Sequence, residues 1–227
     1  MSERILVINP NSTEAVTRGI DAAMAPLRFA DGPRIDCATL AEGPPGIQSQ
    51  RDVDHVVPPL CRLIEREHNA TDAFVIACFS DPGLHSARET TDRPVLGIME
   101  SGLTTALNLG SAIGIVAILP TSVSRHMRFV RAMGLSQRVA GDRAVGLNVV
   151  ELSDEARTFD RLVATGRALR DEDGADVVVL GCAGMTRYRE RMEDALGVAV
   201  VDPSQAAATM AIGAIRLGWR TGRRPQS

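Results

Sequence analysis

Apolar residues follow two alternating patterns along this chain. Short uninterrupted apolar runs, as at residues 5–8 and 73–77, are typical of strands buried on both faces of a parallel sheet. Longer segments, as at residues 53–68, repeat apolar residues every three or four positions and indicate helices with one buried face. The regular alternation of the two patterns predicts an α/β protein.

The predicted elements fall into two sets of about four strands, which indicates two pseudo-symmetric lobes. Each lobe is predicted to be a roughly four-stranded parallel sheet flanked by helices, with the active site in the inter-lobe cleft. The first lobe covers residues 1–100 and the second 101–227, with the closing helix 203–217 able to pack across onto the first lobe. The strands are predicted at residues 4–8, 34–40, 73–78, 94–98, 111–119, 144–149, 176–182 and 198–201. The helices are predicted in a segment that ends near 24, at 53–68, 82–90 and 99–109, in a segment that ends near 133, at 154–173, after residue 182, and at 203–217.

An internal repeat supports the two-lobe prediction. The turn Pro10-Asn11-Ser12 has a counterpart, Pro120-Thr121-Ser122, 110 positions later. Cys78 and Cys182 each stand at the end of a predicted strand, and they are 104 positions apart. The two offsets differ, so we interpret the repeat as a loose internal duplication.

Composition excludes several kinds of chemistry. The 227 residues contain no lysine, so all 25 basic residues are arginine. Pyridoxal phosphate enzymes, Schiff-base aldolases and P-loop proteins all need a lysine and are therefore excluded. No G-x-G-x-x-G follows a predicted strand, and we expect no cofactor. A net charge of −3 and an aromatic content of 3% argue against nucleic acid or a membrane surface as a partner, so we expect a small-molecule substrate.

Hydropathy and cysteine spacing indicate the compartment. The first 30 residues lack the long apolar stretch of a signal peptide, and no run of 18 apolar residues occurs, so we expect a soluble, cytoplasmic protein. The four cysteines lack C-x-x-C spacing and should be reduced thiols there. The four histidines show no ligand-like spacing, and we expect no metal site.

Cys78 and Cys182 are the candidate catalytic residues. Cysteine is often a small core residue, but a matched position at two strand ends before helix starts favours a chemical role. A helix N-terminus should lower the pKa of such a thiol toward neutrality. Two thiols on opposite faces of a carbon can act as an acid–base pair, one removing a proton and the other delivering one. Cys37 and Cys61, in the middle of a strand and on a helix face, are predicted to be core residues.

Polar turns at the strand ends are candidate substrate contacts. Asn11 and Thr121 can bind substrate carbonyls and stabilise an enolate, although residues of these types also cap helices, as Ser12 can. Asp81 is expected to cap the helix after the first cysteine strand, with Pro82 at its first position. The Gly- and Pro-rich segment 42–50 is long enough to form a lid or pocket wall.

The sequence resembles the aspartate/glutamate racemase superfamily, and within it the hydantoin racemase branch that includes allantoin racemases. The resemblance lies in residues 5–13, 77–84 with 87–89, and 180–185, which together span nearly the whole chain. It implies two catalytic cysteines at Cys78 and Cys182, no cofactor or metal, and a homo-oligomer. The substrate contacts that it implies, together with those expected of the second turn, are Asn11, Phe79, Ser80, Pro120, Thr121, Ala183 and Gly184.

The expected function is cofactor-independent racemisation of 5-substituted hydantoins, allantoin included. One alternative is another reaction of the superfamily: amino-acid racemisation, maleate isomerisation or malonate decarboxylation. Malonate decarboxylases keep one of the two cysteines, and dicarboxylate substrates would need arginines at the pocket, whereas no arginine stands in the motif turns. The other alternative is a two-lobed binding protein without catalysis, in which both thiols would have ordinary pKa values.

Overall fold

The computed structural model describes residues 3–147, 151 and 155–221. By its contacts the chain divides into two compact units, the first formed by residues 1–101 with 204–227 and the second by 102–203. The last helix lies within the residue range predicted for the second lobe, but almost all of it belongs to the first unit. Each unit contains a four-stranded parallel sheet among its described residues.

The first unit is built on a sheet with the strand order β2-β1-β3-β4. Its strands are β1 (Arg4–Asn9), β2 (Arg34–Thr39), β3 (Ala73–Ile76) and β4 (Val95–Gly97). The two central strands, β1 and β3, are buried almost throughout, which explains their uninterrupted apolar sequence. The helices are α1 (Glu14–Ala23), α2 (Gln50–His55), α3 (Val57–Glu67), α4 (Leu84–Thr90), α5 (Ile98–Ala106), which starts in this unit, and the closing helix α9 (Pro203–Arg216).

The second unit repeats this topology, with the strand order β6-β5-β7-β8. Its strands are β5 (Ile113–Ala117), β6 (Val139–Ala144), β7 (Val177–Leu180) and β8 (Ala199–Val201), and its helices are α6 (Pro120–Ala132), α7 (Glu155–Asp171) and α8 (Arg189–Leu196). A 3₁₀ segment, Ala183–Tyr188, precedes α8. Because β5 and β7 take the places of β1 and β3, the predicted pair of pseudo-symmetric α/β lobes is confirmed.

The helix predicted at 53–68 and the strand predicted at 144–149 differ from the structure. The single helix predicted at 53–68 is two helices that meet at Val56, and prolines stand in the first turn of the second one. Proline lacks an N–H and favours the start of a helix over its interior. The strand predicted at 144–149 is wrong in its position along the chain. β6 covers Val139–Ala144, and residues 148–149 lie outside the described part of the chain. β6 is a half-buried edge strand with few apolar residues, so periodicity did not reveal it.

Candidate active site

Both candidate cysteines occupy the same topological position. In the first unit the ladder between β1 and β3 continues by one residue, because Ala77 donates its N–H to the carbonyl of Ile8 at 2.8 Å. In the second unit Gly181 donates to the carbonyl of Val116, also at 2.8 Å. The next residues are Cys78 and Cys182. Each cysteine therefore directly follows the last backbone bond at the carboxyl edge of its sheet, where ligands bind in open α/β sheets.

Cys78 is partly buried and starts a tight turn rather than a helix. Its carbonyl oxygen accepts the N–H of Asp81 at 3.0 Å. Asp81 has φ 41° and Gly83 φ 65°, both in the left-handed region, and α4 begins only at Leu84. The expected helix start at Pro82 is therefore wrong, since two left-handed residues cannot continue a right-handed helix.

Asp81 caps a different helix from the one expected. Its carboxylate accepts the backbone N–H of Met99 at 2.9 Å and that of Glu100 at 2.8 Å, in the first turn of α5. Burial raises the pKa of the Asp81 carboxyl to about 7, and these two N–H groups act in the opposite direction. Asp81 is thus a buried acid that joins the cysteine turn to the start of α5.

Cys182 caps a helical segment, as the sequence indicated, but the expected effect on its thiol is wrong. Its Sγ accepts the N–H of Gly184 at 3.4 Å at the start of the 3₁₀ segment. Burial nevertheless raises the pKa of the Cys182 thiol to about 11; the Gly184 N–H lowers it, and the charge of Asp202 raises it further. Desolvation outweighs the helix terminus here, so Cys182 is a protonated thiol at neutral pH.

The turn after β1 is a hydrogen-bonded network that holds Asn11 in place. The Oδ1 of Asn11 accepts from Nδ2 of Asn9 at 3.0 Å and from the N–H of Thr13 at 2.9 Å. Asn9 also donates to Thr17 at 3.0 Å. Thr13, rather than Asn11 or Ser12, is the N-cap of α1, without a side-chain cap bond. Within the described residues Nδ2 of Asn11 donates no hydrogen bond, so this amide group is available to a ligand.

The turn after β5 is reinforced by an arginine that the sequence analysis missed. Pro120 and Thr121 are exposed at the start of α6, whereas Ser122 is buried. Arg125 donates to the carbonyl of Thr121 and to Oγ of Ser122, each at 3.2 Å. An arginine in the second turn of a helix is usually exposed, so only the burial of Arg125 in the fold identifies its role.

The segment 42–50 is attached to the turn that carries Asn11. Ser12 donates its N–H to the carbonyl of Pro44 at 2.9 Å, and Thr13 donates its hydroxyl to that of Pro45 at 2.7 Å. A Cβ at Gly43 would lie 2.2 Å from the carbonyl oxygen of Pro10, so this close approach requires glycine. These contacts hold the segment against the turn, so it is not a detached lid.

The remaining candidate groups lie apart from the two cysteine turns. Cys37 and Cys61 are partly buried, and burial raises the pKa of the Cys37 thiol to about 12. His126 pairs with Asp142 at 2.9 Å in the interior of the second unit. The described residues contain no group of histidine, cysteine and acidic side chains that could hold a metal ion. They also contain no helix long and apolar enough to cross a membrane.

Each unit therefore brings its own candidates to one edge of its sheet. In the first unit, Asn11 follows β1, and Cys78, buried Phe79 and partly buried Ser80 follow the adjacent strand β3. In the second unit, Pro120 and Thr121 follow β5 within a few residues, and Cys182, Ala183 and Gly184 follow the adjacent strand β7.

Comparisons with known proteins agree with this architecture. A hydantoin racemase of Paenarthrobacter aurescens is 38% identical, over 97% of this chain and 94% of that protein. The structure of an allantoin racemase from Klebsiella pneumoniae is 32% identical with a TM-score of 0.88, over 97% of this chain and 91% of that one. An allantoin racemase from Pseudomonas fluorescens is 28% identical with a TM-score of 0.90, over 99% and 98%. The model of the family described as Asp/Glu/Hydantoin racemase matches residues 5–211. The chain therefore belongs to the Asp/Glu/hydantoin racemase family and is an isomerase of the racemase type.

Proposed function

We propose that this protein is a cofactor-independent racemase of 5-substituted hydantoins, with allantoin as one candidate, and that Cys78 and Cys182 exchange the proton at C5. The observation that carries the proposal is the matched position of the two thiols. Each stands two residues beyond the end of an equivalent central strand, β3 or β7, next to the turn of the neighbouring strand. The names of the relatives support a hydantoin ring as the substrate.

The reaction needs one base and one acid on opposite faces of a planar intermediate. The thiolate of one cysteine takes the proton from C5, the C–H bond breaks, and its electron pair moves onto the neighbouring carbonyl as an enolate. The thiol of the other cysteine then gives its proton to the opposite face of C5. The two thiols exchange protonation states in each turnover, so the product of one direction leaves the enzyme ready for the reverse direction.

The raised pKa of Cys182 supports a definite resting state. At neutral pH Cys182 carries its proton and is the acid. In this assignment Cys78 is the base for the enantiomer whose hydrogen faces it, and Cys182 delivers the proton to the other face. A thiolate with a high pKa is also a strong base, which suits Cys182 for removing a weakly acidic carbon-bound proton in the reverse direction.

The enolate oxygen needs hydrogen-bond donors in a site shielded from water. Asn11 offers its Nδ2, fixed by the two bonds that its Oδ1 accepts. In the other unit the backbone N–H groups at the start of α6 are the candidate donors. Thr121 is exposed there, and Arg125 donates a hydrogen bond to its carbonyl. We assign substrate contact to these turns and to the neighbours of the cysteines, Phe79, Ser80, Ala183 and Gly184.

The test uses single enantiomers of 5-substituted hydantoins and of allantoin in heavy water, with a chelator and no added cofactor. Optical rotation and deuterium at C5 are followed together. Loss of rotation with deuterium in the product is expected for at least one ring. If no ring reacts while aspartate or glutamate is racemised, the hydantoin assignment is wrong; if neither class reacts, the racemase proposal fails for these substrates and a binding role gains weight.

A further inference from the structure

Asp81 lies at an unusual junction in the first unit. The α5 helix begins at Ile98 directly after β4 ends at Gly97, so no intervening residue can cap its free N–H groups. The carboxylate of Asp81 takes that place from a distant part of the chain and accepts the N–H groups of Met99 and Glu100. The cap of α5 is thus supplied by the turn that carries a candidate catalytic thiol.

Two further features show that the junction is specific. Asp81 holds φ 41°, a left-handed conformation that aspartate tolerates better than most residues but that still costs free energy. A Cβ at Gly97 would lie 2.3 Å from the carboxylate of Asp81, so this strand position must be glycine for the contact to form. Both residues therefore accommodate one interaction, that of the Asp81 carboxylate with α5.

The consequence for Cys78 follows from its place between two fixed points. On one side Ala77 is bonded to Ile8 in the sheet. On the other side the carboxylate of Asp81 accepts hydrogen bonds from α5, and the N–H of Asp81 donates to the carbonyl of Cys78 at 3.0 Å. In the second unit the corresponding position, three residues after Cys182, is the buried Met185 instead of an acid.

We propose that Asp81 is a positioning residue for Cys78: by tying the cysteine turn to the start of α5, it fixes the thiol against the substrate carbon. This inference rests on the proposed function. In this proposal Asp81 acts through the position of Cys78 and not on the substrate. The charged groups that face it are Glu100 of α5 and Arg88 of α4, which form an ion pair at 3.0 Å.

Two variants weaken the contact from opposite sides. Asp81→Asn keeps the size and the tolerance for φ > 0 but replaces one acceptor oxygen by an NH₂ group, which cannot accept the second N–H. Gly97→Ala leaves Asp81 intact and displaces its carboxylate through the added methyl group. The matched control is Asp176→Asn, since Asp176 accepts the N–H groups of Ser111 and Ala112, each at 2.8 Å, at the opposite, amino-terminal edge of a sheet.

The measurements separate positioning from general stability. For Asp81→Asn and Gly97→Ala we expect kcat to fall by about 100-fold, as for a small misplacement of a catalytic group, while KM stays close to that of the wild type. Iodoacetamide should also alkylate Cys78 faster than in the wild type, because the turn that carries it is no longer fixed. The alkylation rate is followed by the mass of the Cys78 peptide. Asp176→Asn should change neither quantity.

The proposal is overturned if Asp81→Asn and Gly97→Ala, folded at the assay temperature, keep the kcat and the Cys78 alkylation rate of Asp176→Asn. Should one variant fail to fold, the other carries the test alone. If the wild type racemises no hydantoin, the proposed function fails; the alkylation rates then still decide whether Asp81 fixes Cys78.

Discussion

The backbone N–H of Gly184 points at the Sγ of Cys182 across 3.4 Å, yet the thiol stays protonated at neutral pH. The helix terminus alone would favour the thiolate, but burial and the charge of Asp202 outweigh it. The balance of these effects sets the protonation state of one candidate catalytic group, and it can be measured directly.

Alkylation of Cys182 should be slow at neutral pH and should rise as the pH approaches 11, because the thiolate is the reactive form. Asp202→Asn removes the like charge, so the same rise should occur at lower pH. Iodoacetamide modification, followed by peptide mass from pH 7 to the highest pH at which the fold is stable, checks both statements. Fast modification of wild-type Cys182 at pH 7 would contradict the assignment.

Asn11→Asp isolates the amide group of Asn11. The substituted carboxylate keeps the oxygen that accepts from Asn9 and Thr13 but loses the Nδ2 donor. We expect kcat/KM for the substrate to fall by about 10- to 100-fold, which corresponds to one lost hydrogen bond to a charged group.

The matched control for Asn11 is Thr17→Val, in the same network. Thr17 bonds to Asn9 and to Thr39 but stands in α1, away from the end of the turn. The Thr17→Val variant should lower the free energy of unfolding, while kcat/KM should change little. Equal losses of kcat/KM in both variants would mean that Asn11 acts through the network alone.

The buried pair of His126 and Asp142 should matter for stability. Both side chains are almost fully buried, and Oδ1 of Asp142 has no hydrogen-bond partner within the described residues. Asp142→Ala leaves His126 without this partner and should lower the free energy of unfolding by about 3 kcal/mol in urea denaturation. Asp171→Ala, which removes an exposed partner of Arg170, should leave the urea midpoint nearly unchanged.

The pH dependence of stability should carry the signature of Asp81. Its pKa in the folded protein, about 7, lies above the ordinary value of 3.8. The folded state therefore binds the proton more tightly, and the stabilisation by this group is complete below pH 3.8 and is lost as the pH rises to 7. Asp81→Asn cannot titrate, so its unfolding free energy should decline less than that of the wild type over this range. Parallel declines would show that Asp81 titrates normally.

The central strands, and the positions of both cysteines after two of them, could be predicted from the sequence because their signals are local. β1, β3, β5 and β7 are buried runs that read directly as strands, and the cysteines follow two of them. The edge strand β6 was predicted several residues too late in the chain, since a half-buried strand needs few apolar residues and its start gives no signal.

The roles of Asp81 and Arg125 depend on tertiary structure and could not be predicted. Asp81 precedes a proline and resembles a cap for the next helix, but its partners lie 18 and 19 residues away in α5. Arg125 gives no motif in the sequence, and only its burial against Ser122 shows that it supports the turn. The pKa of Cys182 was misjudged for the same reason, because desolvation is a property of the folded chain.

The most direct test of the two-thiol mechanism is deuterium exchange by Cys78→Ala and Cys182→Ala with each pure enantiomer of the substrate. A single remaining thiol can remove and return a proton on one face only. Each variant should therefore exchange the C5 hydrogen of one enantiomer without inversion, and the two variants should act on opposite enantiomers. Exchange by Cys78→Ala should be slow at neutral pH and should rise with pH, because Cys182 must first lose its proton. Racemisation at wild-type rates by either single variant would contradict the account.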